Sequence, residues 1–318
     1  MATDTAAVPQ APEAATVMQL LPSPPCLLTP RAPTRPGRRN ELLRRLVERE
    51  IRQARPRTLA LESDCVGGTI VDDYVTWGTG TLDEAVEHGF GHGSGDSGGD
   101  RDLVRWMRAH NEHRPAAERL RFAGIGDPLE GTGTASPRWA LTALHAHLAA
   151  RVGPDLLPCT AARLDRLLGS EERWTGLAAP TGGARSYGRS ADAMELRLLA
   201  DDLEALLDAR TPHPPGTRAR DDLDRARLYA RTATGLLRYH FWAADTSRDR
   251  PARLAALRDR MTAAHLLALA GRGPALVYAH DRPVPLGEST VRLSDLPLRW
   301  WGATALGRPR GARPVGLA

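Results

Sequence analysis

The stretch Thr58 to Cys65, TLALESDC, is the part of the chain from which we predict the fold. It begins with apolar residues, continues with Glu62, and ends in the turn-forming Ser63 and Asp64. A short apolar run that stops at turn residues is typical of a buried strand. In open α/β sheets, ligands bind outside the carboxyl ends of such strands. The stretch therefore predicts a strand that presents a glutamate at the edge of a sheet.

Two further apolar runs predict strands of the same sheet. Leu120 to Ile125 ends at Gly126, and Ala275 to His280 (ALVYAH) ends in an imidazole. Helical patterns separate the first two runs, and this alternation favours a parallel sheet with helices on its faces. Because parallel strands end at one edge, we expect Glu62 and His280 to meet at one site.

Only helical patterns occur from Pro137 to about Ala270. The predicted fold class is therefore α/β, with a mainly parallel central sheet flanked by helices and a large all-helical insertion at about 137–270. Residues 1–37 are rich in proline, alanine and threonine, and we expect a partly disordered N-terminal arm. Residues 38–318 are expected to form one domain that contains the insertion.

The composition is that of a soluble globular protein, since 42% of the 318 residues are apolar and 25% are charged. No apolar run reaches the roughly 20 residues of a membrane helix, and the N-terminus lacks the basic start of a secretory signal. We therefore predict a cytoplasmic protein without a membrane partner. We favour a monomer.

Every one of the 43 basic residues is an arginine, because the chain contains no lysine. This excludes lysine nucleophiles, Schiff bases and the Walker lysine. The net charge of +5 is spread along the chain, so the sequence does not predict a nucleic-acid partner. Three cysteines without C-x-x-C spacing predict neither a disulfide framework nor a zinc site, and we expect Cys65 to be a buried thiol. The histidine pairs at 110/113 and 145/147 lack a metal-binding motif, so no metal is predicted.

The segment Gly89 to Gly99 (GFGHGSGDSGG) has the densest run of glycines in the chain. It lacks the spacing of a phosphate-binding loop. We predict a mobile loop at the mouth of the site. His92 is either a contact to the substrate or a solvated loop residue.

Several stretches of the sequence together resemble the erythromycin esterase family. They are the run from Arg39 to Arg121, GLLRYH at 235–240, LRDRMTAAHLL at 257–267 and GPALVYAH at 273–280. The resemblance covers most of the chain in the family's order. It implies a parallel α/β core with a helical cap, and hydrolysis of macrolide lactones without a metal or other cofactor.

The resemblance also implies roles for individual residues. Glu62 matches the acid after the second strand, Arg258 the arginine of the helix that contains an RD pair, and His280 the first histidine of the late strand. His92 matches a histidine in the GF-x-H segment. We take Glu62, His280 and Arg258 as candidate catalytic residues.

The sequence departs from the family pattern at the group that activates water. Family members have a strand followed by G-E-x-x-H-G, whereas the equivalent stretch Leu27 to Gly37, LLTPRAPTRPG, has neither the glutamate nor the histidine. Pro283 replaces a second histidine of the late strand. The arginines of this stretch cannot serve as bases near neutral pH, and neither can Pro283.

Each candidate also has a purely structural interpretation. Glu62 could be satisfied by nearby backbone donors, His280 could be a core histidine, and Arg258 could form an ion pair on its helix. Asp281 could orient His280 as a supporting carboxylate. We list His92, Asp281, Asp64 and His240 as candidate substrate contacts, although the helical spacing around His240 favours core packing.

The predicted function is an acid/base enzyme that acts on a large hydrophobic natural product, such as a macrolide, a polyketide or a modified peptide. Because the water-activating motif is missing, the sequence favours elimination, cyclisation or rearrangement in secondary-metabolite biosynthesis. Hydrolysis of a lactone or ester, as in antibiotic resistance or tailoring, is the alternative. A third hypothesis is a protein that only binds its ligand.

Overall fold

The computed structural model describes twelve parts of the chain. They are residues 15–20, 27–29, 44–45, 48, 57–90, 97–126, 135–175, 187–210, 217–273, 275–280, 291–293 and 296–298. The strands are β1 (Ala15–Leu20), β2 (Leu27–Thr29), β3 (Thr58–Asp64), β4 (Arg121–Gly126), β5 (Ala275–His280), β6 (Val291–Leu293) and β7 (Leu296–Leu298). The helices are α1 (Gly68–Trp77), α2 (Leu82–Gly89), α3 (Ser97–Asn111), α4 (Arg138–Ala149), α5 (Ala161–Leu168), α6 (Glu172–Thr175), α7 (Ala191–Arg210), α8 (Thr217–Ala243) and α9 (Arg250–Ala270).

The main sheet has five strands in the order β2-β1-β5-β3-β4. The strands β5, β3 and β4 are parallel to one another, as predicted. β1 pairs antiparallel with β5, and β2 pairs antiparallel with β1. The predicted α/β class with a helical insertion is confirmed, and the three predicted strands end at one edge, which we call the carboxyl edge. β1 and β2 lie within the arm of residues 1–37, where the sequence pattern predicts no strand.

The pairing of β3 with β4 contains a β-bulge. Leu61 lies opposite Gly124 and Asp64 lies opposite Gly126, so β3 has one residue more than β4 over this interval. The bulge therefore falls at Glu62 and Ser63. Bulges bend a strand and redirect its side chains, and they occur often beside active sites. Gly124 is required here, because an added Cβ would overlap the carbonyl oxygen of Asp64.

Two hydrophobic cores hold the molecule together. The first packs α1, α2 and α3 against the sheet through buried residues such as Leu59, Val71, Val104 and Leu276. The second lies inside the insertion, among α4 to α8, and is rich in leucine. Trp174 and Leu196 are fully buried in it. The predicted helical insertion thus has a core of its own.

α8 and α9 pack as an antiparallel pair, and α9 leads into β5. Three contacts along the pair fix its register: Asp224 with Arg272, Gly235 with Met261, and Tyr239 with Arg258. At Gly235 an added Cβ would lie 2.7 Å from the Met261 methyl carbon, so a larger residue here would require the Met261 side chain to move. The pair runs alongside β4, and its residues and those of β4 line one cavity.

The start of α2 agrees with the capping chemistry that its sequence predicts. The Thr81 hydroxyl accepts a hydrogen bond from the backbone N–H of Glu84, and the Glu84 carboxylate accepts one from the backbone N–H of Thr81, which completes a capping box. α3 begins at Ser97, so the loop predicted for Gly89 to Gly99 is shorter than expected. His92 lies outside the described residues. Within the described parts, no helix combines the length and apolar character needed to cross a lipid bilayer.

Candidate active site

Glu62 and His280 lie on neighbouring strands at the carboxyl edge of the sheet. β3 and β5 are parallel, with Leu61 opposite Tyr278. Glu62 follows Leu61 in the bulge, and His280 is the last residue of β5. Since neighbouring strands are about 4.8 Å apart, the two backbones run side by side where both strands end. The structure describes the backbone of these residues and not their side chains. Asp281 lies outside the described residues.

Arg258 lies on α9, twelve positions before its last residue, Ala270. It contacts Tyr239 of α8. The structure brings the backbones of Glu62 and His280 to one end of the sheet, and a place for Arg258 in the same site stays a prediction.

The guanidinium of Arg258 is held by an aromatic ring. Its Cζ lies 5.2 Å from the ring centroid of Tyr239, in cation–π contact. Its Nε is buried and has no hydrogen-bond partner among the described residues. A buried donor without a partner is uncommon in folded proteins. Arg258 thus retains a donor with which it can bind an oxygen atom of a ligand.

Asp64 has a structural role in the turn that follows β3. Its Oδ1 accepts hydrogen bonds from the backbone N–H groups of Val66 at 2.7 Å and Gly67 at 2.9 Å. These bonds order the turn that leads into α1. The geometry gives Asp64 a role in forming the turn, and its predicted contact with substrate stays a prediction.

His240 lies in the core of the insertion. Its Nε2 donates to the carbonyl oxygen of Ala135 at 2.8 Å, and its ring packs edge-on against Trp174 with centroids 4.9 Å apart. Burial lowers its pKa to about 4, although the bond to Ala135 opposes this effect. The imidazole is therefore neutral near pH 7 and engaged in packing. The structure supports the core interpretation and gives no role to His240 as a substrate contact.

Ser63 is a polar residue of the edge whose role the sequence did not predict. Its Oγ is buried and has no hydrogen-bond partner among the described residues. It shares the bulge with Glu62, and the strand-end sequence E-S-D is the only signal that could have pointed to it. A free hydroxyl at this position can donate to or accept from a bound ligand.

Cys65 follows the edge and is buried, as predicted. Its Sγ lies 3.5 Å from the hydroxyl of Thr232 on α8. Within the described parts of the chain, no three histidine, cysteine or acidic side chains come together in a group that could hold a metal ion. The candidate site therefore consists of Glu62, His280 and Arg258, with Ser63 beside them.

β2 contains the start of the stretch 27–37, for which the sequence resemblance implies the position of the water-activating motif. In this chain it is the edge strand, separated from β3 by β1 and β5. Three strand spacings correspond to about 14 Å. Residues 30–37, which follow β2, lie outside the described residues.

The fold and the site define an α/β protein with acid and base residues at the carboxyl edge of a parallel sheet. The sequence model of the erythromycin esterase family matches residues 51–292, which is more than half of the chain. The chain therefore belongs to the erythromycin esterase family. The matched region begins after the stretch 27–37, which lacks the family's glutamate and histidine. No curated protein matches the chain.

Three solved structures are similar to the chain. A protein from Bacillus cereus has a TM-score of 0.54 at 16% identity, over 74% of this chain and 52% of that protein. A succinoglycan biosynthesis protein has a TM-score of 0.46 at 16% identity, over 76% and 53% of the two chains. An erythromycin esterase mutant in its open conformation has a TM-score of 0.47 at 15% identity, over 75% and 56%. The Bacillus cereus protein supports the fold alone. The chain spans about half the length of each of these structures.

Proposed function

We propose that this chain is an esterase-like hydrolase that opens an ester or lactone of a large hydrophobic natural product. The observation that carries the proposal is that β3, with its bulge at Glu62, and β5, which ends at His280, stop side by side at one edge. Membership of the erythromycin esterase family supports hydrolysis as the class of reaction. A macrolide lactone is the first substrate to test, since an erythromycin esterase is among the similar structures.

Glu62 and His280 supply the acid/base chemistry in this proposal. One of the two removes a proton from water, and the resulting hydroxide adds to the ester carbonyl carbon. The tetrahedral oxyanion then collapses and expels the alkoxide, which recovers the proton from the protonated base. An imidazole suits this exchange because its unperturbed pKa lies near neutrality. The proposed reaction needs no cofactor.

Arg258 stabilises the oxyanion in the same proposal. Its guanidinium carries a permanent positive charge, and its buried Nε has no partner among the described residues. A preorganised donor aimed at a developing negative charge is worth far more at a buried site than in water. The contact with the Tyr239 ring restricts the guanidinium before substrate arrives.

A second candidate reaction is elimination, cyclisation or rearrangement in the biosynthesis of a polyketide or modified peptide. The specific observation in its favour is that residues 27–37 contain neither a glutamate nor a histidine. The strand at 27–29 also lies three positions from β3 in the sheet. An acid/base pair without a dedicated water activator suits a reaction in which a substrate proton moves and water does not add.

The experiment uses a panel of macrolides, with erythromycin first, in water enriched in heavy oxygen. Hydrolysis adds one water whose oxygen carries the label, whereas elimination or cyclisation incorporates none. Mass spectrometry of the product distinguishes the two. A chain that binds a macrolide in equilibrium dialysis and converts none would be a binding protein, and both catalytic candidates would then be wrong.

Substitution at the edge tests the assigned residues. We expect Glu62→Gln and His280→Ala each to reduce the rate at least about 100-fold, which is the usual contribution of a general acid or base. The matched controls are Glu87→Gln and His113→Ala, which remove the same groups from exposed positions. They should retain the parent rate. Unchanged turnover in the two edge variants would remove Glu62 and His280 from the mechanism.

A further inference from the structure

A cavity lies between β4 and the antiparallel pair α8 and α9. It has a volume of about 50 Å³ and is lined by Phe122 to Gly124 on one side and by His265 and Arg231 on the other. His265 precedes the end of α9 by five residues, or about 8 Å. It therefore lies about 10 Å below Arg258 along the helix. Cys65 and Gly68, which follow the carboxyl end of β3, also line the cavity, so it lies next to the edge, but none of the candidate catalytic residues Glu62, His280 and Arg258 lines it.

The arginines on the cavity wall differ in whether they are paired. Three of them form ion pairs with aspartates: Arg121 with Asp72 and Asp221, Arg225 with Asp73, and Arg272 with Asp224. The fourth, Arg231, forms no salt bridge with any residue that the structure describes, and its buried Nε has no hydrogen-bond partner there.

The acids nearest to Arg231 are engaged elsewhere. Asp224 pairs with Arg272 at 2.9 Å, and Glu204 accepts a hydrogen bond from Thr234. Burial, followed by the charge of Arg272, lowers the pKa of Arg231. An arginine nevertheless remains protonated in proteins. The four arginines are matched in number by four aspartates, Asp72, Asp73, Asp221 and Asp224, but two of these bind Arg121 and none forms a salt bridge with the half-buried Arg231. An anion in the cavity is the group that would give Arg231 a direct partner.

His265 points to the same missing group. It is only 3% exposed, and both of its ring nitrogens lack hydrogen-bond partners among the described residues. The antiparallel register of α8 and α9 places it opposite Arg231. Burial and Arg231 lower its pKa to about 3, so the ring is neutral and can donate one hydrogen bond. A guanidinium fork and an imidazole N–H are donors that bind oxyanions.

We propose that this cavity binds one small oxyanion, of carboxylate to phosphate size, between Arg231 and His265. The volume agrees with such an occupant, because 50 Å³ is room for about three or four water molecules. Among the residues that line the cavity, Arg272 has a side chain that is 36% exposed, whereas His265 is deeply buried. The proposal does not rest on the proposed hydrolysis, since no catalytic residue contributes to the cavity.

The test measures the thermal stability of the full chain after exhaustive dialysis into chloride. Inorganic phosphate and acetate are then added separately, and chloride at equal ionic strength is the reference. Occupancy of the cavity should raise the melting temperature, by about 2–4 °C for each kcal/mol of binding. A response to phosphate alone identifies a free phosphate or a phosphate group as the ligand, and a response to acetate identifies a carboxylate. If neither anion exceeds chloride, the proposal is wrong.

The variant Arg231→Met tests whether the rise in melting temperature arises from anion binding at this cavity. Methionine has a similar length to arginine and removes the charge. The matched control is Arg227→Met, one turn earlier on α8, where the arginine is exposed. The control should keep the anion response and Arg231→Met should lose it. A response that survives in Arg231→Met overturns the proposal.

Isothermal titration calorimetry of the parent protein gives an answer even if Arg231→Met does not fold. One saturable site per chain, weakened at least tenfold in His265→Leu, supports the proposal. No saturable binding of either anion contradicts it.

Discussion

The leucine-rich core of the insertion, among α4 to α8, and the layer between the sheet and the sheet-facing sides of α8 and α9 differ in how their buried polar groups are satisfied. In the insertion, His145 lies 2.9 Å from the carbonyl oxygen of Cys159, and the indole N–H of Trp174 donates to Leu168 at 2.8 Å. His240 is bonded in the same way to a carbonyl oxygen. Each of these groups is buried and has a backbone partner.

The layer against the sheet leaves several polar atoms without partners. Those that have none among the described residues are the Nε atoms of Arg231 and Arg258, both ring nitrogens of His265 and the hydroxyl of Ser63. All four residues lie on β3, α8 or α9, near the carboxyl edge or the cavity. Buried polar groups in folded proteins are almost always bonded. The contrast therefore separates a region whose polar groups serve the architecture from one whose polar groups are available to ligands.

Removing a partner from the wall of the cavity should have the largest effect on stability. The carboxylate of Asp72 binds Arg121 through two nitrogens, at 3.0 and 2.5 Å, and also accepts the backbone N–H of Phe122. Burial alone would raise the pKa of Asp72, but Arg121 holds it below its usual value. We expect Asp72→Ala to lower the free energy of unfolding by roughly 3–5 kcal/mol, because it leaves buried donors uncompensated. Urea unfolding gives the value.

The matched control for Asp72→Ala is Asp102→Ala on the surface of α3. Asp102 is 76% exposed and pairs with Arg105 at 2.7 Å, so its loss should change stability by about 0–1 kcal/mol. If Asp72→Ala is as mild as this control, Asp221, the second partner of Arg121, and water together compensate the lost carboxylate. The polar groups of this layer would then be less strictly dependent on their partners than the comparison assumes.

The second-largest expected effect is a difference in the free energy of unfolding between variants of two buried histidines, one from each region. His240→Leu removes the partner of the Ala135 carbonyl and should lower the free energy of unfolding by about 1–3 kcal/mol. His265→Leu, measured in chloride, removes two polar atoms that have no partner among the described residues. It should be neutral or stabilising, because an apolar side chain of similar size fits a buried site better than an unsatisfied one.

Equal losses in the two histidine variants would contradict this difference. His265 would then have partners in chloride solution, such as ordered water. The measurement is again the midpoint and slope of urea unfolding, and an unchanged slope shows that both variants unfold from the same compact state.

The parts of the fold that the sequence predicts are those that depend on local pattern. The bounds of α5 and of β5 match the predicted residues, Ala161 to Leu168 and Ala275 to His280. Periodicity and capping act within a few residues, so they can be recognised without knowledge of the rest of the chain. β1 and β2 could not be predicted in this way, because β1 pairs with β5 across more than two hundred residues and β2 pairs with β1.

The sequence predicts which strand ends form the candidate site. It does not predict the geometry of the site. Glu62 and His280 could be assigned to one edge because parallel strands end together. The bulge at Glu62 depends on the register between β3 and β4, which the sequence of β3 alone does not determine. Arg231 and His265 are ordinary polar positions in helical patterns, and only the register of α8 against α9 makes them neighbours.

The smallest expected effect is a dependence of stability on pH that arises from His240. Burial lowers its pKa to about 4 in the folded chain, against an ordinary value of 6.5. Between these values the unfolded chain binds more protons than the folded chain, so stability rises with pH through this window. From about pH 7 down to about pH 5.5, His240 should cost the folded state about 1 kcal/mol. The parent should therefore lose more stability over this range than His240→Leu does, when both are measured by urea unfolding at each pH. Parallel pH profiles for the parent and the variant would show that His240 titrates normally, and the insertion would then not be the dry, fully bonded region that its hydrogen bonds indicate.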